Sequence, residues 1–293
     1  MRYILVTGCN GMLGSYVVGK LIDAGYYVYG ISIENEPLFS HERYCYKSID
    51  LTKCIEVDDF FSTNDFSHII HLAAIAHTYR GMDNSWSQYY RINTICSKTI
   101  FNCAKKFSIP VFFASTADVY GLTSGPIDER AEPKPIGAYA QSKRLAEMAL
   151  EETCTNCTYL IARFAPIYTK DNKKDIYKRI YIKNPKLAYI IGKGLQYEFL
   201  SVENAADLIS KWVNKPEVYK RVINISNDKR IHTKEMLLAE RENGRARLVI
   251  HIPLWFAELI FKIIRVCFFW NKYLIFTVSK VCHPIEFKKS KNC

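Results

Sequence analysis

A tyrosine and a lysine four residues apart, Tyr139 and Lys143, are the pair with the clearest potential for chemistry. On the helix predicted for Tyr139–Glu152, this spacing places both side chains on one face. A free phenol has a pKa of about 10, and a neighbouring ammonium favours the phenolate, which suits proton transfer. The pair therefore predicts general acid–base chemistry, and Ser115 or Thr116, after a predicted strand, could supply a hydroxyl to the reacting oxygen.

A glycine-rich turn lies between the first predicted strand, Tyr3–Val6, and the first predicted helix, Met12–Ala24. Its glycines follow the spacing GxxGxxG. Glycine lets the backbone approach a pyrophosphate, and the helix start supplies free N–H donors. In this strand–turn–helix context the pattern predicts a dinucleotide site. The residues expected to contact the cofactor here are Gly8, Asn10, Gly11, Met12, Leu13 and Gly14.

The second predicted strand, Tyr27–Ile33, bears on the choice between NAD and NADP. The position that usually carries a ribose-binding acid falls on Ser32, which would not repel a 2′-phosphate. That favours NADP, but Glu34 is close, so either cofactor is consistent with the sequence. Asp50, after the third predicted strand, could accept a hydrogen bond from an adenine amino group.

Apolar runs alternate with helical patterns along the first half of the chain. This alternation predicts an α/β fold with a parallel sheet covered by helices on both faces. From about Pro166 the alternation weakens. The further strands are predicted at Tyr44–Ile49, His68–Leu72, Val111–Ala114 and Thr158–Ala162, and a further helix at Asn93–Phe107.

The charge of the chain is strongly basic. Among 293 residues, 40 Lys and Arg face 29 Asp and Glu, a net charge of +11. Such a balance can indicate nucleic-acid binding, but no nucleic-acid module accompanies it, so we expect no nucleic-acid partner. The excess is concentrated in residues 170–193 and 248–293, which suits an anionic small substrate or an acidic lipid surface.

Ten cysteines occur without a recognisable export signal, which indicates reduced thiols and a cytoplasmic protein. Cys154 and Cys157 form one CxxC without a second pair, so we expect no metal site. A membrane span needs about 20 consecutive apolar residues, and charged residues interrupt the stretch Leu248–Val281. The aromatic helix predicted from Pro253 to about Phe269 is either buried against a second domain or faces a membrane surface or partner.

Taken together, the motifs resemble those of extended short-chain dehydrogenases/reductases, in the NAD-dependent epimerase/dehydratase (nucleotide-sugar) family. The resemblance covers roughly residues 1–240, with the motifs in family order. The matching pieces are the turn Thr7–Gly14, His71–Ala74, Asn93, Ser115–Gly121, Tyr139 with Lys143, Arg163 ahead of Tyr168, and Phe199–Asn204.

This resemblance implies a Rossmann doubly wound parallel sheet with a smaller C-terminal α/β substrate domain. We expect the NAD(P)-binding domain at 1–165 and the substrate-binding region at 166–293, with a segment near 195–226 returning to the first domain. The C-terminal hydrophobic-basic helix belongs to the second region and is the candidate for peripheral membrane contact. A homodimer through the helices at Asn93–Phe107 and Tyr139–Glu152 is also implied.

Family roles carry over by position. Tyr139 is the implied acid/base, Lys143 tunes it and binds the nicotinamide ribose, and Thr116 polarises the sugar oxygen. The implied reaction is hydride transfer at C4 of a nucleoside diphosphate sugar, by a 4-epimerase or 4-keto reductase of surface polysaccharide biosynthesis. The other expected NAD or NADP contacts are Ser32, Asp50, Leu51, Leu72, Ala73, Ala74, Asn93, Ala165 and Ile167, together with Tyr139 and Lys143.

Two departures from the family pattern leave alternatives open. The carboxylates that follow the catalytic threonine in dehydratases are reduced to Asp118, so dehydration through Asp118 is an alternative. The arginine that usually grips the substrate diphosphate is replaced by Tyr197, and the basic stretch could supply Lys193 instead. A non-catalytic NAD(P)-binding regulatory protein is the remaining alternative. The expected substrate contacts are Thr116, Asp118, Lys193 and Tyr197.

Overall fold

The structure is a computed structural model that describes residues 2–76, 85–215 and 220–288. The chain forms two compact units, each built from separated segments. The first unit comprises Met1–Val119, Gly137–Phe164 and Val202–Ile223. The second comprises Tyr120–Ile136, Ala165–Ser201 and Asn224–Cys293.

A seven-stranded sheet forms the centre of the first unit. Its order is β12-β6-β5-β4-β1-β2-β3, and β1 to β6 pair in parallel. Helices flank it, so the predicted Rossmann-like α/β fold is confirmed. The strands are β1 (Tyr3–Thr7), β2 (Val28–Ser32), β3 (Tyr44–Ser48), β4 (Phe66–His71), β5 (Val111–Thr116), β6 (Tyr159–Phe164) and β12 (Lys220–Ile225).

The helices of this unit follow the strands in sequence. They are α1 (Met12–Asp23), α2 (Cys54–Ser62), α3 (Trp86–Tyr89), α4 (Cys96–Phe107), α5 (Ala138–Thr153) and α7 (Val202–Asn214). A π-helical turn, Tyr90–Ile95, joins α3 to α4. The middle strands carry buried apolar residues on both faces, and Leu5, Ile69 and Phe113 are completely buried, as expected for a parallel sheet covered on both faces.

Parallel pairing brings the carboxyl ends of β1, β4 and β5 to one edge of the sheet, where ligands of such folds bind. Those ends carry Thr7, His71 and Thr116. The helix predicted from Asn93 extends back through the π-helical turn to Trp86. Helix α2 was not predicted, although Val57, Phe60 and Phe61 bury its apolar face.

The second unit contains small sheets. Strand β9 (Leu187–Ile191) pairs antiparallel with β8 (Tyr181–Lys183) and parallel with β14 (Leu248–Ile252). Two further two-stranded sheets are present. One pairs β7 (Ile167–Tyr168) with β11 (Leu200–Ser201), and the other pairs β10 (Gln196–Tyr197) with β13 (Ile231–His232). The helices are α6 (Lys174–Tyr177), α8 (Thr233–Glu242), α9 (Leu254–Cys267) and α10 (Lys272–Cys282).

The predicted aromatic helix is present as α9, but only its residues Ala257 and Phe261 are buried. Through these two residues α9 packs on the second unit, and most of its other side chains are exposed. Within the described ranges, none of the helices has the length and apolar character needed to cross a membrane.

Candidate active site

The start of α5 places three functional side chains on one helix face. Gly137 has a φ of 86°, a conformation that favours glycine and turns the chain into the helix. Tyr139, Lys143 and Glu147 then follow at intervals of four residues, so they share a face. Glu147 is fully buried and Lys143 is 3% exposed.

Thr116, at the end of β5, meets Tyr139 through a side-chain hydrogen bond. The backbone N–H of Asp118 donates to Thr116 Oγ1 at 3.2 Å, which leaves the threonine hydroxyl proton free to donate to the tyrosine oxygen. Such a donor stabilises the phenolate. The structure therefore brings Thr116, Asp118 and Tyr139 together.

The pKa of Tyr139 is nevertheless raised, not lowered. Burial is the largest cause, because it disfavours the phenolate, and the charge of Asp118 adds to it. The hydrogen bond from Thr116 acts in the opposite direction. Lys143 is not among the groups that shift this pKa, so the expected lowering by the lysine is absent here.

Lys143 itself has an unusual environment for a lysine. Its Nζ lies 4.1 Å from the centroid of the Phe113 ring. Burial lowers the pKa of Lys143 to about 7, while the charge of Glu147 acts in the opposite direction. Near neutral pH the side chain is thus divided between ammonium and amine, which suits a group that assists proton transfer.

Beyond Lys143, Glu147 forms a buried ion pair that the sequence analysis did not predict. Arg163 Nη2 lies 2.8 Å from Glu147 Oε2, and Arg163 Nε lies 3.0 Å from Oε1. The Ser115 hydroxyl donates a hydrogen bond to the same carboxylate. Arg144, on the same helix as Glu147, donates from Nη1 to Glu147 Oε2 at 2.9 Å. Ser115 is therefore engaged with Glu147, and Thr116 is the hydroxyl beside Tyr139.

The glycine turn has the shape that a pyrophosphate requires. Gly8 has a φ of 68°, and a Cβ there would lie 2.9 Å from Ala73 Cα, so β1 and the chain after β4 approach closely. A Cβ on Gly14 would lie 2.1 Å from the Gly8 carbonyl oxygen. Helix α1 begins after Gly11 without a side-chain cap or an acidic residue in its first turn. These features fit an anion at the helix start.

His71 is a buried connector and not a proton-transfer group. Its Nδ1 lies 2.7 Å from Thr7 Oγ1, and its Nε2 lies 2.8 Å from Ser97 Oγ. Thr7 Oγ1 also accepts the N–H groups of Leu72 and Ala73 at 3.2 and 3.1 Å. Burial lowers the pKa of His71 to about 3. The ring is therefore neutral, and it supports the Leu72–Ala73 backbone expected to line the cofactor.

Asn93 lies in the π-helical turn and uses its amide within the protein. Its Oδ1 accepts the Ile75 N–H at 2.8 Å, and its Nδ2 donates to the Ile75 carbonyl at 2.9 Å and to Ser142 Oγ at 3.0 Å. The side chain thus ties the segment after Ala74 to α5. The direct cofactor contact expected of Asn93 stays a prediction.

At the end of β2, the Ser32 hydroxyl donates to the Glu34 carboxylate, and Tyr46 donates to the Glu34 carbonyl. A carboxylate therefore stands where a ribose-binding acid is usual, and it would repel a 2′-phosphate. Asp50 is half-buried, and a hydrogen bond from the Thr52 N–H at 2.9 Å lowers its pKa. Leu51 follows it.

The remaining cofactor and substrate candidates lie in the second unit. The Ala165 N–H donates to the Ile225 carbonyl, and Ile167 pairs within β7. Lys193 is exposed. Tyr197 is buried and donates its hydroxyl to the Val281 carbonyl. In this chain, the position where the family pattern has a substrate-binding arginine is therefore occupied by a buried tyrosine that packs inside the second unit.

Arg179 is a cation that the sequence analysis did not single out. Its guanidinium carbon lies 5.3 Å from the centroid of the Tyr197 ring. Its Nε is buried and, within the described part of the chain, has no hydrogen-bond partner. A half-buried guanidinium with an unsatisfied donor is suited to an anionic ligand. Arg179 is recognised as a candidate because it lies next to Tyr197 in the folded structure, although the two residues are distant in the sequence.

Among the described residues, no group of three or more His, Cys, Asp and Glu side chains is placed to hold a metal ion. The first unit thus brings Thr116 and Asp118 to Tyr139, with Lys143 one turn further along α5.

Comparison with known sequences relates the chain to enzymes of nucleotide-sugar chemistry. The sequence profile of the NAD dependent epimerase/dehydratase family matches residues 4–226. A UDP-glucose 4-epimerase of Caenorhabditis elegans is 28% identical over 169 residues, which cover 50% of this chain and 48% of that protein. A protein of Haloferax volcanii described as a probable low-salt glycan biosynthesis reductase is 30% identical over 167 residues, 57% of this chain and 54% of its own. The matches thus span about half the length of these relatives.

Solved structures share the fold. The Bordetella bronchiseptica enzyme WbmH, in complex with NAD⁺, superposes with a TM-score of 0.70 at 20% identity, covering 86% of this chain and 85% of its own. At this identity the likeness shows the fold.

Proposed function

Because the chain belongs to the NAD dependent epimerase/dehydratase family, we propose that it is a nucleotide-sugar 4-epimerase that acts through hydride transfer at sugar C4. The observation that carries the proposal is the hydrogen bond between Thr116 and Tyr139, four residues before the buried Lys143. A non-catalytic cofactor-binding protein would have no need of this arrangement.

Gly8, Gly14 and the uncapped start of α1 support binding of the cofactor pyrophosphate. When bound, NAD supplies a hydride acceptor at its positively charged nicotinamide ring. The Glu34 carboxylate beside Ser32 favours NAD over NADP, because it would repel a 2′-phosphate. That preference supports an epimerase, which regenerates its cofactor in each cycle, over a reductase that consumes NADPH.

In this proposal Tyr139 acts as its phenolate, which the positive charge of bound NAD would favour against the cost of burial, and its oxygen takes the proton of the sugar C4 hydroxyl and later returns it. The Thr116 hydroxyl donates to the reacting oxygens and stabilises their negative charge. In this proposal Lys143, one turn further along α5, binds the nicotinamide ribose, which is the other role that the family resemblance implies for it. Buried surroundings exclude water, so these hydrogen bonds are stronger than they would be in solution.

We propose a nucleoside diphosphate sugar as the substrate, with Arg179 as the cation for its diphosphate. Arg179 lies against Tyr197, which stands at the position where the family pattern has an arginine. Lys193 is exposed in the same unit and remains a second candidate.

Dehydration is the second candidate function, because Asp118 is close enough to Tyr139 to raise its pKa. A carboxylate at that position could serve as the base at C5. The two functions differ in product, since a dehydratase loses water and an epimerase releases an isomer of its substrate. A role in surface polysaccharide synthesis and the homodimer expected through α4 and α5 remain predictions.

The test is to incubate the purified protein and NAD with a panel of UDP-sugars and to follow both the 340 nm absorbance and the products by NMR. An epimerase interconverts C4 isomers without net cofactor reduction, and Tyr139→Phe lowers turnover at least about 100-fold. Tyr89→Phe, a neighbouring ring 6.3 Å from Tyr139, is the matched control and keeps most of the turnover. Full turnover by Tyr139→Phe would refute the proposal, and a 4-keto-6-deoxy product would indicate the dehydratase.

A further inference from the structure

Helix α9 exposes an apolar face that nothing in the second unit covers, among the described residues. Its buried side chain Ala257 packs with Tyr189 and Ile191 of β9. The opposite side of the helix is exposed and follows helical spacing, so it forms one continuous face. It consists of Phe256, Leu259, Ile260, Ile263 and Val266.

Aromatic side chains continue this face beyond the helix. In the turn after α9, the rings of Phe269 and Trp270 contact each other at a centroid distance of 5.2 Å. They are 69% and 67% exposed, and Trp255, at the start of α9, is 66% exposed. Exposed tryptophans beside aliphatic residues are typical of surfaces that lie at a membrane–water interface.

Cations border the apolar face. Lys262 and Arg265 lie on one side of α9, which they share with the exposed Glu258, and Lys272 follows the aromatic turn. The three cations outnumber Glu258 by two. All three are exposed, and none of them takes part in an ion pair with another residue of the described ranges. Their charge is therefore available to phosphate groups outside the protein.

The charge argues for one partner. In a symmetric dimer through this face, each copy would bring the same net positive charge to the interface, and like charges repel. An anionic lipid surface attracts them and also accepts the aromatic side chains. With 14 residues, α9 is shorter than the about 20 residues needed to span a bilayer. We propose that this aromatic-basic surface, Trp255–Lys272, binds the surface of an anionic phospholipid membrane, with α9 lying in its plane.

The proposal is tested by co-sedimentation of the full-length chain with two kinds of vesicle. One is phosphatidylcholine alone, and the other is phosphatidylcholine with phosphatidylglycerol in a 7:3 ratio. We expect at least about tenfold tighter binding to the anionic vesicles, decreasing as salt is added. Equal binding to both kinds of vesicle, or none to either, would overturn the proposal.

Variants locate the binding surface. Trp255→Ser, Phe269→Ser and Trp270→Ser, combined in one protein, should weaken vesicle binding at least about tenfold, and so should Lys262→Glu with Lys272→Glu. Ile55→Ser, an 81% exposed apolar residue of the first unit, is the control and should bind as the parent does.

All these side chains are exposed, so the variants should keep the parent's circular dichroism and unfolding midpoint. Sedimentation velocity of the same proteins identifies the competing occupant. If the parent sediments as a dimer and does not bind vesicles, while the aromatic variant sediments as a monomer, a second copy of the chain covers the surface and the proposal is wrong.

Discussion

The residues of this chain that are best suited to chemistry lie in a row along one face of α5. Tyr139 contacts Thr116, Lys143 lies against the Phe113 ring, and Glu147 ends the row in an ion pair with Arg163. Burial shifts the pKa values of Tyr139 and Lys143 in opposite directions, because it raises that of the phenol and lowers that of the ammonium. Both groups are thereby held closer to their neutral forms.

The lowered pKa of Lys143 predicts a pH dependence of stability. Between its folded value of about 7 and its usual value of about 10.4, the unfolded chain binds one more proton than the folded chain. The free energy of unfolding therefore rises with pH in this window, by about 2 kcal/mol from pH 7 to 9, and the contribution is lost as pH falls through 7. Lys143→Met should remove this rise, measured by urea unfolding at both pH values.

The exposed Lys98 on α4 provides the control, since Lys98→Met should keep the parent's pH dependence. Equal slopes for the parent and Lys143→Met would show that Lys143 does not titrate near pH 7.

Glu147→Gln should destabilise the protein by about 3–5 kcal/mol, because it leaves the Arg163 charge buried without its partner. Asp58→Asn breaks the exposed pair between Asp58 and Lys106 and should cost less than about 1 kcal/mol. Denaturant unfolding measures both. A small effect at Glu147 would mean that neutral hydrogen-bond acceptors suffice to stabilise the buried Arg163 guanidinium.

At the scale of elements, the turn between β1 and α1 decides whether a cofactor can approach. Gly14→Ala places a Cβ only 2.1 Å from the Gly8 carbonyl oxygen, so either the turn or the helix must shift. We expect the affinity for NAD to fall at least about tenfold, measured by isothermal titration calorimetry.

Gly19→Ala in the same helix is a matched control, because a Cβ there meets nothing within 4 Å. It should keep NAD affinity and stabilise the protein by about 0.5–1 kcal/mol, as alanine replaces glycine inside a helix. Unchanged NAD binding in Gly14→Ala would mean that the turn does not hold the pyrophosphate.

Elements also differ in how well the sequence predicts them. The strands of the central sheet are predicted to within about two residues at each end, because their apolar runs are bounded by glycine and polar residues. The extension of the Asn93 helix back to Trp86 is not predicted. It depends on the hydrogen bonds from Asn93 to Ile75 and Ser142, which are distant in the chain.

At the scale of the whole molecule, cofactor binding should increase the free energy of unfolding. A ligand that binds only the folded state, at about 100 times its Kd, raises the free energy of unfolding by about 2.7 kcal/mol. We expect NAD to raise Tm in calorimetry, and NADP at the same concentration to raise it less, because the Glu34 carboxylate bonded to Ser32 would repel the 2′-phosphate. Glu34→Gln should reduce this difference, while Glu56→Gln on α2 should not. A larger effect of NADP on the parent would contradict the preference for NAD.

The sequence by itself determined the sheet-and-helix order, the glycine turn and the Tyr139–Lys143 pair, because these depend on local spacing. Tertiary structure decided the partners: Glu147 and Arg163 are 16 residues apart, Tyr197 and Val281 are 84 apart, and Arg179 meets Tyr197 only in space. It also decided the pKa direction of Tyr139 and the exposure of α9. Burial and long-range contacts are properties of the packed chain, and residue spacing does not encode them.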